Sequence, residues 1–415
     1  MEQAERADES QPPKVGYRPL LALESPRRLV AAAIPADFAD WLDYAAVLAL
    51  LVFVWGEGPL VLAFFALALS VPYVVIGPFL AMLVDRTPIR SVLVLSNAGR
   101  AIATVGLIFA GDTALVLGLV FLRSTIDSAF TPARQAAIKA TTPKELLQVA
   151  NGLHHAINQT SKIVGPAIGG LLLAALPIDA VFAINAAISL IAAGISATVL
   201  IAARPSSEPE APAGFLKRSM VGFAEFGRNR LLRLALIFSV TAYFAIFLYD
   251  ALIPLLTQNL GFDETIFGFA ISASGLGGLI GALAAGRTTS LSPFQMMAGA
   301  AMIGGAVTIV LGAAALSSWS IGVVIFLVAA GAMGGAFGYQ TVPYRTLIQS
   351  ETAEDRIARV YAAGESVTVG VMLAAPFIGS LIAEALGTGA AFVAGGSVLL
   401  LLGLGVALRR ATART

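Results

Sequence analysis

The chain has 415 residues, of which 58% are hydrophobic and 12% are charged, and its mean hydropathy is +0.85. This apolar content exceeds what a soluble protein of that length can bury, so a large part of it must face lipid. The formal charge of +1 and the absence of cysteine argue against a nucleic-acid-binding face, a disulfide scaffold, an iron–sulfur protein and a thiolate zinc site.

Residues 1–28 are polar and lack the apolar stretch of a signal peptide, so we expect a cytoplasmic tail. The rest of the sequence divides repeatedly into apolar stretches of about 20 residues, the length that crosses a bilayer core. It therefore predicts an all-α polytopic membrane protein. We predict about twelve transmembrane helices, at residues 29–55, 59–84, 91–110, 113–130, 146–176, 180–203, 231–257, 265–285, 293–316, 320–344, 358–386 and 390–408.

The basic residues predict the orientation of these helices. Of the 26 Lys and Arg residues, only Arg100, Arg123 and Lys162 lie deep inside the predicted spans. All the others lie in the tails or at helix ends and connections on one side. Because Lys and Arg accumulate in cytoplasmic loops, we predict a multi-pass inner-membrane (plasma-membrane) protein. Both termini, including the tail 409–415, would be cytoplasmic.

The longest internal polar stretch, residues 204–230, separates two groups of six spans. Its beginning is rich in Pro, Ser and Glu and is typical of a cytoplasmic linker, and residues 215–228 have the pattern of an amphipathic helix at the membrane surface. The halves 29–203 and 231–408 resemble each other, because PARQAAIK and PYRTLIQS each precede a helix rich in Pro and Gly. Such parallel repeats predict two pseudo-symmetric six-helix bundles with a substrate site between them.

Residues 77–90, GPFLAMLVDRTPIR, connect the second and third predicted spans. They match the Gly-x₇-Asp-Arg-x₃-Arg signature of the major facilitator superfamily, which the sequence resembles over nearly its whole length. A glycine there would allow close helix approach, and the acidic and basic side chains would form a charge network that latches one conformation. The residues that the resemblance assigns to this latch are Gly77, Asp85, Arg86 and Arg90.

The run GPAIGG, residues 165–170, resembles the Gly-Pro-x-x-Gly-Gly element typical of the superfamily's drug:proton antiporters. Its small residues predict tight helix packing, and its proline predicts a bend. We assign this packing role to Gly165, Pro166, Gly169 and Gly170. Arg123 lies where the superfamily often places a membrane-embedded arginine associated with proton coupling. Residues 130–135 and 349–360 further resemble the macrolide and siderophore exporters.

A charge at the bilayer centre costs roughly 3 kcal/mol on insertion scales, so charged residues in a span indicate function. The first span carries Asp37, Asp40 and Asp43, whose spacing of three places them on one slanting stripe. Burial and mutual repulsion favour the protonated form of at least one of them. Such a stripe suits proton transfer or attraction of a cationic substrate, although Asp37 could instead cap a helix or lie near the cytoplasmic interface.

Arg123 and Asp127 lie four residues apart on the fourth span, and two interpretations are open. The two charges could simply neutralise each other. Alternatively, Arg123 changes partner during transport, toward Asp40 or Asp43. We assign proton coupling to Asp40, Asp43, Arg123 and Asp127.

In the fifth span His154, Asn158 and Lys162 recur every four residues and form a polar stripe. Lys162 is expected to balance a carboxylate rather than to bind substrate directly. The second half contributes Asp250 and Glu365, so acidic groups outnumber basic ones at depth, which favours protons or cations over anionic substrates. We assign the substrate cavity to Asp37, Trp41, Tyr44, Asn158, Lys162, Tyr249, Asp250 and Glu365.

These features predict a secondary active transporter, a proton-coupled multidrug exporter (antiporter) of amphipathic or cationic small molecules that works by alternating access. A lipid or lysolipid flippase, a nutrient symporter or facilitator, and a non-transporting receptor are the alternatives. An enzyme is not expected, because the sequence offers no nucleophile–base set, metal cluster or GxxxxGK[ST] phosphate loop. The proton gradient would supply the energy without a cofactor or metal. The expected partners are the substrate and membrane lipid, not nucleic acid, and the chain is expected to be a monomer.

Overall fold

The computed structural model describes residues 16–201, 223–317, 319–353 and 356–412, and within these ranges it contains helices and no strands. A short helix, Tyr17–Ala22, precedes twelve long helical segments. They are α1 (Glu24–Ala49, continued by the π-helical turn Leu50–Val54), α2 (Pro59–Val71, the π-helical turn Pro72–Ile76 and Gly77–Arg86), α3 (Ile89–Ile108), α4 (Thr113–Thr141), α5 (Leu147–Ala175), α6 (Ile178–Ala197), α7 (Arg230–Phe247, continued by Asp250–Leu252 and Ile253–Asn259), α8 (Glu264–Arg287), α9 (Pro293–Leu316), α10 (Val323–Glu351), α11 (Ile357–Leu386) and α12 (Thr388–Thr412).

Ten of the described helices are long and apolar enough to cross a membrane. The two long helices outside this set, α1 and α5, carry the aspartate stripe and the polar stripe with Lys162. These two helices are also the ones in which the sequence places most of the candidate site. The helical architecture confirms the predicted fold class.

Local capping explains where several helices begin. The Asp112 side chain accepts a hydrogen bond from the Leu115 amide, 2.8 Å away, at the start of α4. Asp263 accepts one from the Ile266 amide at 3.0 Å at the start of α8. These carboxylates satisfy amides that have no partner in the first turn of a helix. The caps lie at connections where the sequence already predicts a break between spans.

Two predicted helix ends are wrong. The fourth span was expected to end at residue 130 and the tenth at residue 344, but α4 continues to Thr141 and α10 to Glu351. Hydropathy marks the part of a helix that lies in lipid, whereas the helix itself continues into the polar residues beyond. A proline within each helix, such as Pro132 in α4, removes one backbone hydrogen bond without ending the helix.

The helices pack within each half and meet between halves in related pairs. In the first half α1 packs against α5 and α6. In the second half α8 packs against α10, and α12 packs against α9. Between the halves, α5 packs against α8, and α2 packs against α11. These two contacts correspond under the sequence repeat, because α2 and α8, and likewise α5 and α11, occupy equivalent places. The exact domain limits predicted from the sequence, which include tails and a linker largely outside the described residues, stay a prediction.

We call the end of the bundle at which the odd-numbered helices begin the basic end, because Arg86, Arg90, Lys139 and Lys144 are exposed there. The other end we call the far end. Contacts between the halves are found near the far end. The Phe64 and Phe377 rings pack edge to face with centroids 5.3 Å apart, and the Gln258 amide donates a 3.2 Å hydrogen bond to the Val52 carbonyl.

The four residues assigned to helix packing lie at two different interfaces. A Cβ atom added to Gly165 would lie 2.8 Å from the Trp41 Cβ, and one on Gly169 would lie 3.1 Å from the Leu42 Cδ1, so both glycines face α1. Gly170 faces the second half, where an added Cβ would lie 2.9 Å from the Thr265 carbonyl oxygen. The Pro166 carbonyl lies against Gly268 of the second half. This segment therefore joins α1 to α5 and the first half to the second.

Gly165→Leu is expected to force α1 and α5 apart, because a side chain cannot fit where a single carbon would already overlap Trp41. We expect a loss of stability of about 1–3 kcal/mol, typical of an overpacked contact. The measurement is the unfolding temperature of the purified protein in detergent. Gly118→Leu is the matched control, because nothing lies within 4 Å of a Cβ added there. An unchanged unfolding temperature for Gly165→Leu would contradict this packing.

The sequence prediction for the linker holds only in part. Of the predicted amphipathic segment, residues 223–228 are described and helical, and 215–222 lie outside the described residues. Phe226 was expected to face the membrane, but it is 3% exposed and packs among Tyr344 and Val360 of the second half. Glu225 forms an ion pair with Arg356. At Glu225 and Phe226 the end of the linker therefore packs against protein rather than lipid.

Candidate functional site

Seven charged side chains from α1, α3 and α4 meet inside the first half. They form five ion pairs, which link all three aspartates of the predicted stripe to arginines on neighbouring helices. We call this group the charge cluster. Its members are Asp37, Asp40, Asp43, Arg100, Arg123, Asp127 and Arg134.

Arg100 of α3 is fully buried and lies at the centre of the charge cluster. Its guanidinium group pairs with Asp40, and its Nε lies 3.0 Å from an Asp127 carboxylate oxygen. The Asn97 side-chain oxygen accepts a further hydrogen bond from it at 3.3 Å. An arginine so deep in a membrane bundle is tolerated only with such partners. Arg100 therefore fixes α1 and α4 against α3.

Arg123 of α4 pairs with the aspartate stripe rather than with its own helix. It contacts Asp40 at 3.0 Å and forms a second ion pair with Asp43. The Asn185 amide of α6 donates a 2.8 Å hydrogen bond to the other Asp43 oxygen. Asp127 pairs with Arg100 and also attracts Arg123 electrostatically, so both interpretations of the sequence stay open.

Asp37 forms the end of the charge cluster nearest the basic end. It is 1% exposed and pairs at 2.5 Å with Arg134, which also packs over the Phe130 ring. Asp37 lies within α1 and caps no helix end, and its place toward the basic end agrees with the interfacial alternative. Its assignment to the substrate cavity stays a prediction. It meets Arg134 because α4 continues past residue 130. His154 is buried beside this pair and interacts electrostatically with both members.

The charges of the cluster do not balance, because four carboxylates meet three guanidinium groups. With every group ionised, one negative charge is in excess in a region of low dielectric, and a single proton would neutralise it. Asp40 is the most accessible of these carboxylates. Its side chain is 33% exposed, whereas that of Asp127 is 17% exposed and those of Asp37 and Asp43 are 2% exposed.

A second group of side chains lies beside the charge cluster, toward the second half. Trp41 and Tyr44 of α1 pack edge to face with ring centroids 5.8 Å apart. The Lys162 ammonium of α5 lies 5.2 Å from the centre of the Trp41 ring. Asp250 of α7 interacts electrostatically with both Lys162 and Tyr44. These four residues, which we call the aromatic–acid site, join the two halves.

The backbone of α7 is interrupted at the aromatic–acid site. The α-helix ends at Phe247, and a 3₁₀ turn, Asp250–Leu252, precedes the last segment of the span. Interrupted helices in transporters expose polar backbone groups at substrate sites. Further toward the basic end, Tyr243 stacks on Phe247 and packs edge to face against Phe337. An aromatic wall therefore continues from the site along the second half.

Three further residues assigned to the cavity have different surroundings. Glu365 is exposed and interacts electrostatically with Tyr243 and Tyr344 of the second half. Asn158 is half-buried, one helical turn before Lys162. Tyr249 does not line the cavity, because it is 4% exposed, packs on Phe392 and accepts a 3.4 Å hydrogen bond from a threonine of α9. Its side chain packs within the second half.

The predicted latch is described only in part. A Cβ atom added to Gly77 would lie 3.6 Å from the Ser128 Cβ, an ordinary contact, so this conformation does not require a glycine there for close helix approach. Arg86 and Arg90 are exposed at the basic end. The Asp85 side chain lies outside the described part of the chain. The latch therefore stays a prediction.

Sequence reasoning did not assign Arg100, Arg134 or Asn185 to the site. A signal for Arg100 was present, because the acidic groups predicted at depth need cations to balance them and only three basic residues, Arg100 among them, lie deep inside the predicted spans. The sequence predicts Arg134 beyond the end of the fourth span, because the predicted span ends at residue 130 whereas α4 ends at Thr141. Asn185, in an apolar helix, gave no signal that distinguished it from a residue that packs between helices.

The Major Facilitator Superfamily family model matches residues 29–368. Over 91% of its length the chain is 29% identical to an uncharacterized MFS-type transporter, YfiS, of Bacillus subtilis, and the match covers 91% of that protein. Over 83% of its length it is 24% identical to macrolide efflux protein A of Streptococcus pyogenes, covering 86% of that protein. Among solved structures, the nucleoside transporter NupG is similar with a TM-score of 0.72 at 12% identity, over 93% of this chain and 99% of that one.

Proposed function

The chain belongs to the Major Facilitator Superfamily, and on that premise we propose that it is a proton-coupled exporter of amphipathic or cationic small molecules. One proton would enter as one substrate leaves, by alternating access of the two halves. The observation that carries the proposal is the charge cluster, in which four carboxylates share three arginines. A site with one excess buried negative charge has a built-in place for one proton.

The proposed cycle uses the link between the charge cluster and the aromatic–acid site. Asp40 and Trp41 are neighbours on α1, and α1 packs directly on α5, which carries Lys162. Protonation of Asp40 weakens its ion pairs with Arg100 and Arg123 and loosens α1 from α3 and α4. Movement of α1 displaces Trp41 and opens the aromatic–acid site. Release of substrate and uptake of a proton are coupled in this way through one helix.

The proposed direction is export. A relative that is similar over most of the chain is macrolide efflux protein A, whose name supports outward transport. The basic end would face the cytoplasm of the inner membrane, as the positive-inside rule requires, and the contacts between halves near the far end would close the periplasmic side. The structure would then correspond to the state that loads substrate from the cytoplasm.

The test is transport by the purified protein in liposomes with an imposed pH gradient. We expect ethidium, a monovalent aromatic cation, to accumulate inside vesicles whose interior is acidic. One-for-one exchange with a proton gives about a tenfold accumulation per pH unit, because one unit corresponds to about 1.36 kcal/mol. Accumulation with an alkaline interior would indicate symport, and equilibration without accumulation would indicate a facilitator. Either result would overturn the proposal.

A further inference from the structure

Lys162 occupies a position that a substrate cation would be expected to fill. Its ammonium group lies 5.2 Å from the centre of the Trp41 ring, within the range of a cation–π interaction. No carboxylate of the described residues lies within ion-pairing distance of it. Within the described part of the chain, the Trp41 ring is its close contact and Asp250 attracts it at longer range. A flexible four-carbon stem allows such an ammonium group to leave without moving the backbone.

The surroundings of Lys162 have the composition of a receptor for an organic cation. Tyr44 packs against the Trp41 ring and interacts electrostatically with Asp250, so the aromatic rings and the carboxylate belong to one group. Aromatic rings with a nearby carboxylate bind quaternary or tertiary ammonium groups, whose charge is weakly hydrated. Asp250 lies at the interruption of α7, where transporters of this architecture expose their binding groups.

Lys162 also lies at the contact between the halves. A Cβ atom added to Gly275 of α8 would lie 3.7 Å from the Lys162 carbonyl oxygen, so its backbone touches the second half. Asp250 belongs to the second half, and Trp41 to the first. A cation seated between them therefore contacts both halves, which is what a ligand must do to bias their relative position.

We propose that the Lys162 ammonium is a resident cation, bound on the Trp41 ring next to Asp250, and that a monovalent organic cation binds by displacing it. This inference rests on the proposed function for its substrate class and adds the mechanism of selection. Since the substrate replaces one positive charge with another, the charge of the site is unchanged when it binds. A neutral compound of the same shape leaves Lys162 in place and gains no contact with the ring, whereas a second positive charge on the substrate has no carboxylate to meet.

The experiment measures binding by calorimetry to the full-length protein in detergent, without any gradient. The probes are tetraphenylphosphonium, a monovalent cation, and triphenylphosphine oxide, a neutral compound with similar rings. Lys162→Met is expected to tighten tetraphenylphosphonium binding by about tenfold, because the competing cation is gone. Binding of the neutral probe should be unchanged. Lys162→Arg keeps a cation on the ring and is expected to bind tetraphenylphosphonium no more tightly than the wild type.

Two further measurements keep the proposal falsifiable. Lys162→Gln should tighten cation binding as Lys162→Met does, which guards against a folding defect in one variant, and thermal unfolding checks both. Asp250→Asn is expected to weaken tetraphenylphosphonium binding by about tenfold. Unchanged or weaker cation binding in folded Lys162→Met and Lys162→Gln would overturn the inference. Because no pH gradient is present, that outcome is distinct from a failure of proton coupling.

Discussion

Asp40→Asn is expected to abolish pH-driven accumulation of ethidium in proteoliposomes while leaving the protein folded and able to bind substrate. The substitution keeps the shape of the side chain and removes its titration. It also leaves two carboxylates on the two arginines that Asp40 contacts, since Arg100 keeps Asp127 and Arg123 keeps Asp43. A balanced cluster has no excess charge for a proton to neutralise, so the variant should exchange substrate only down its own gradient.

The control for this prediction is Asp37→Asn. Asp37 pairs with Arg134 at the edge of the charge cluster and shares no arginine with Asp40, so Asp37→Asn leaves Asp40, Asp43 and Asp127 on the two arginines Arg100 and Arg123 and keeps the local excess of one carboxylate. We expect this variant to transport more slowly but still to accumulate ethidium as the pH gradient increases. If Asp40→Asn retained about the tenfold accumulation per pH unit expected of the wild type, Asp40 would not carry the coupling proton.

Arg100→Gln is expected to produce the largest loss of stability of any single substitution in the charge cluster. Removing this fully buried cation leaves four carboxylates with two guanidinium groups, and both Asp40 and Asp127 lose a partner. Breaking a buried ion pair in this way costs about 3–5 kcal/mol. We expect a sharp fall in folded protein recovered in detergent and in its unfolding temperature.

The double variant Arg100→Gln, Asp127→Asn tests whether the loss is electrostatic. It removes one charge of each sign and restores the wild-type excess of one carboxylate, so most of the stability should return. Asp127→Asn alone is expected to be well tolerated, because it balances the cluster. A double variant as unstable as Arg100→Gln would indicate that the guanidinium group acts by filling space and by its bond to Asn97 rather than by its charge.

Each half is stabilised internally by a different kind of contact, although the helices of the two halves correspond. The first half has a buried charge cluster, whereas the second is packed through glycines, such as Gly277 and Gly281 of α8 against Gly331 and Gly335 of α10. Backbones that approach so closely leave no room for side-chain rearrangement. In this account the second half is a rigid support that supplies Asp250, and the first half is the part that responds to protons.

The sequence predicts the fold well because length and apolar content identify membrane helices, and because basic residues mark one end of each helix. It also predicts the aspartate stripe, since residues spaced by three on a helix must share a face. The partners of that stripe were harder to predict. Arg100 and Asn185 come from other helices. Packing contacts such as Gly165 on Trp41 decide which helices touch. A single sequence shows that a residue is a glycine, but not which residue it packs against.

Arg134 illustrates a second limit. A proline after an apolar stretch favours a helix end, yet α4 continues through Pro132 and carries Arg134 onto the face that meets Asp37. The local sequence allows either a helix end or a continued helix here, and the ion pair between Arg134 and Asp37 favours the continued helix. The same holds at Phe226, whose amphipathic surroundings suit either lipid or protein, and which packs on the second half.

The most direct test of the account is the number of protons released when substrate binds. Purified wild-type protein in weakly buffered detergent solution, with a pH-indicator dye present, is expected to release about one proton per chain when saturated with tetraphenylphosphonium, at a pH where the cluster is protonated. Asp40→Asn should bind the same probe and release none. Equal proton release from Asp40→Asn and the wild type would contradict the claim that the charge cluster carries the coupling proton.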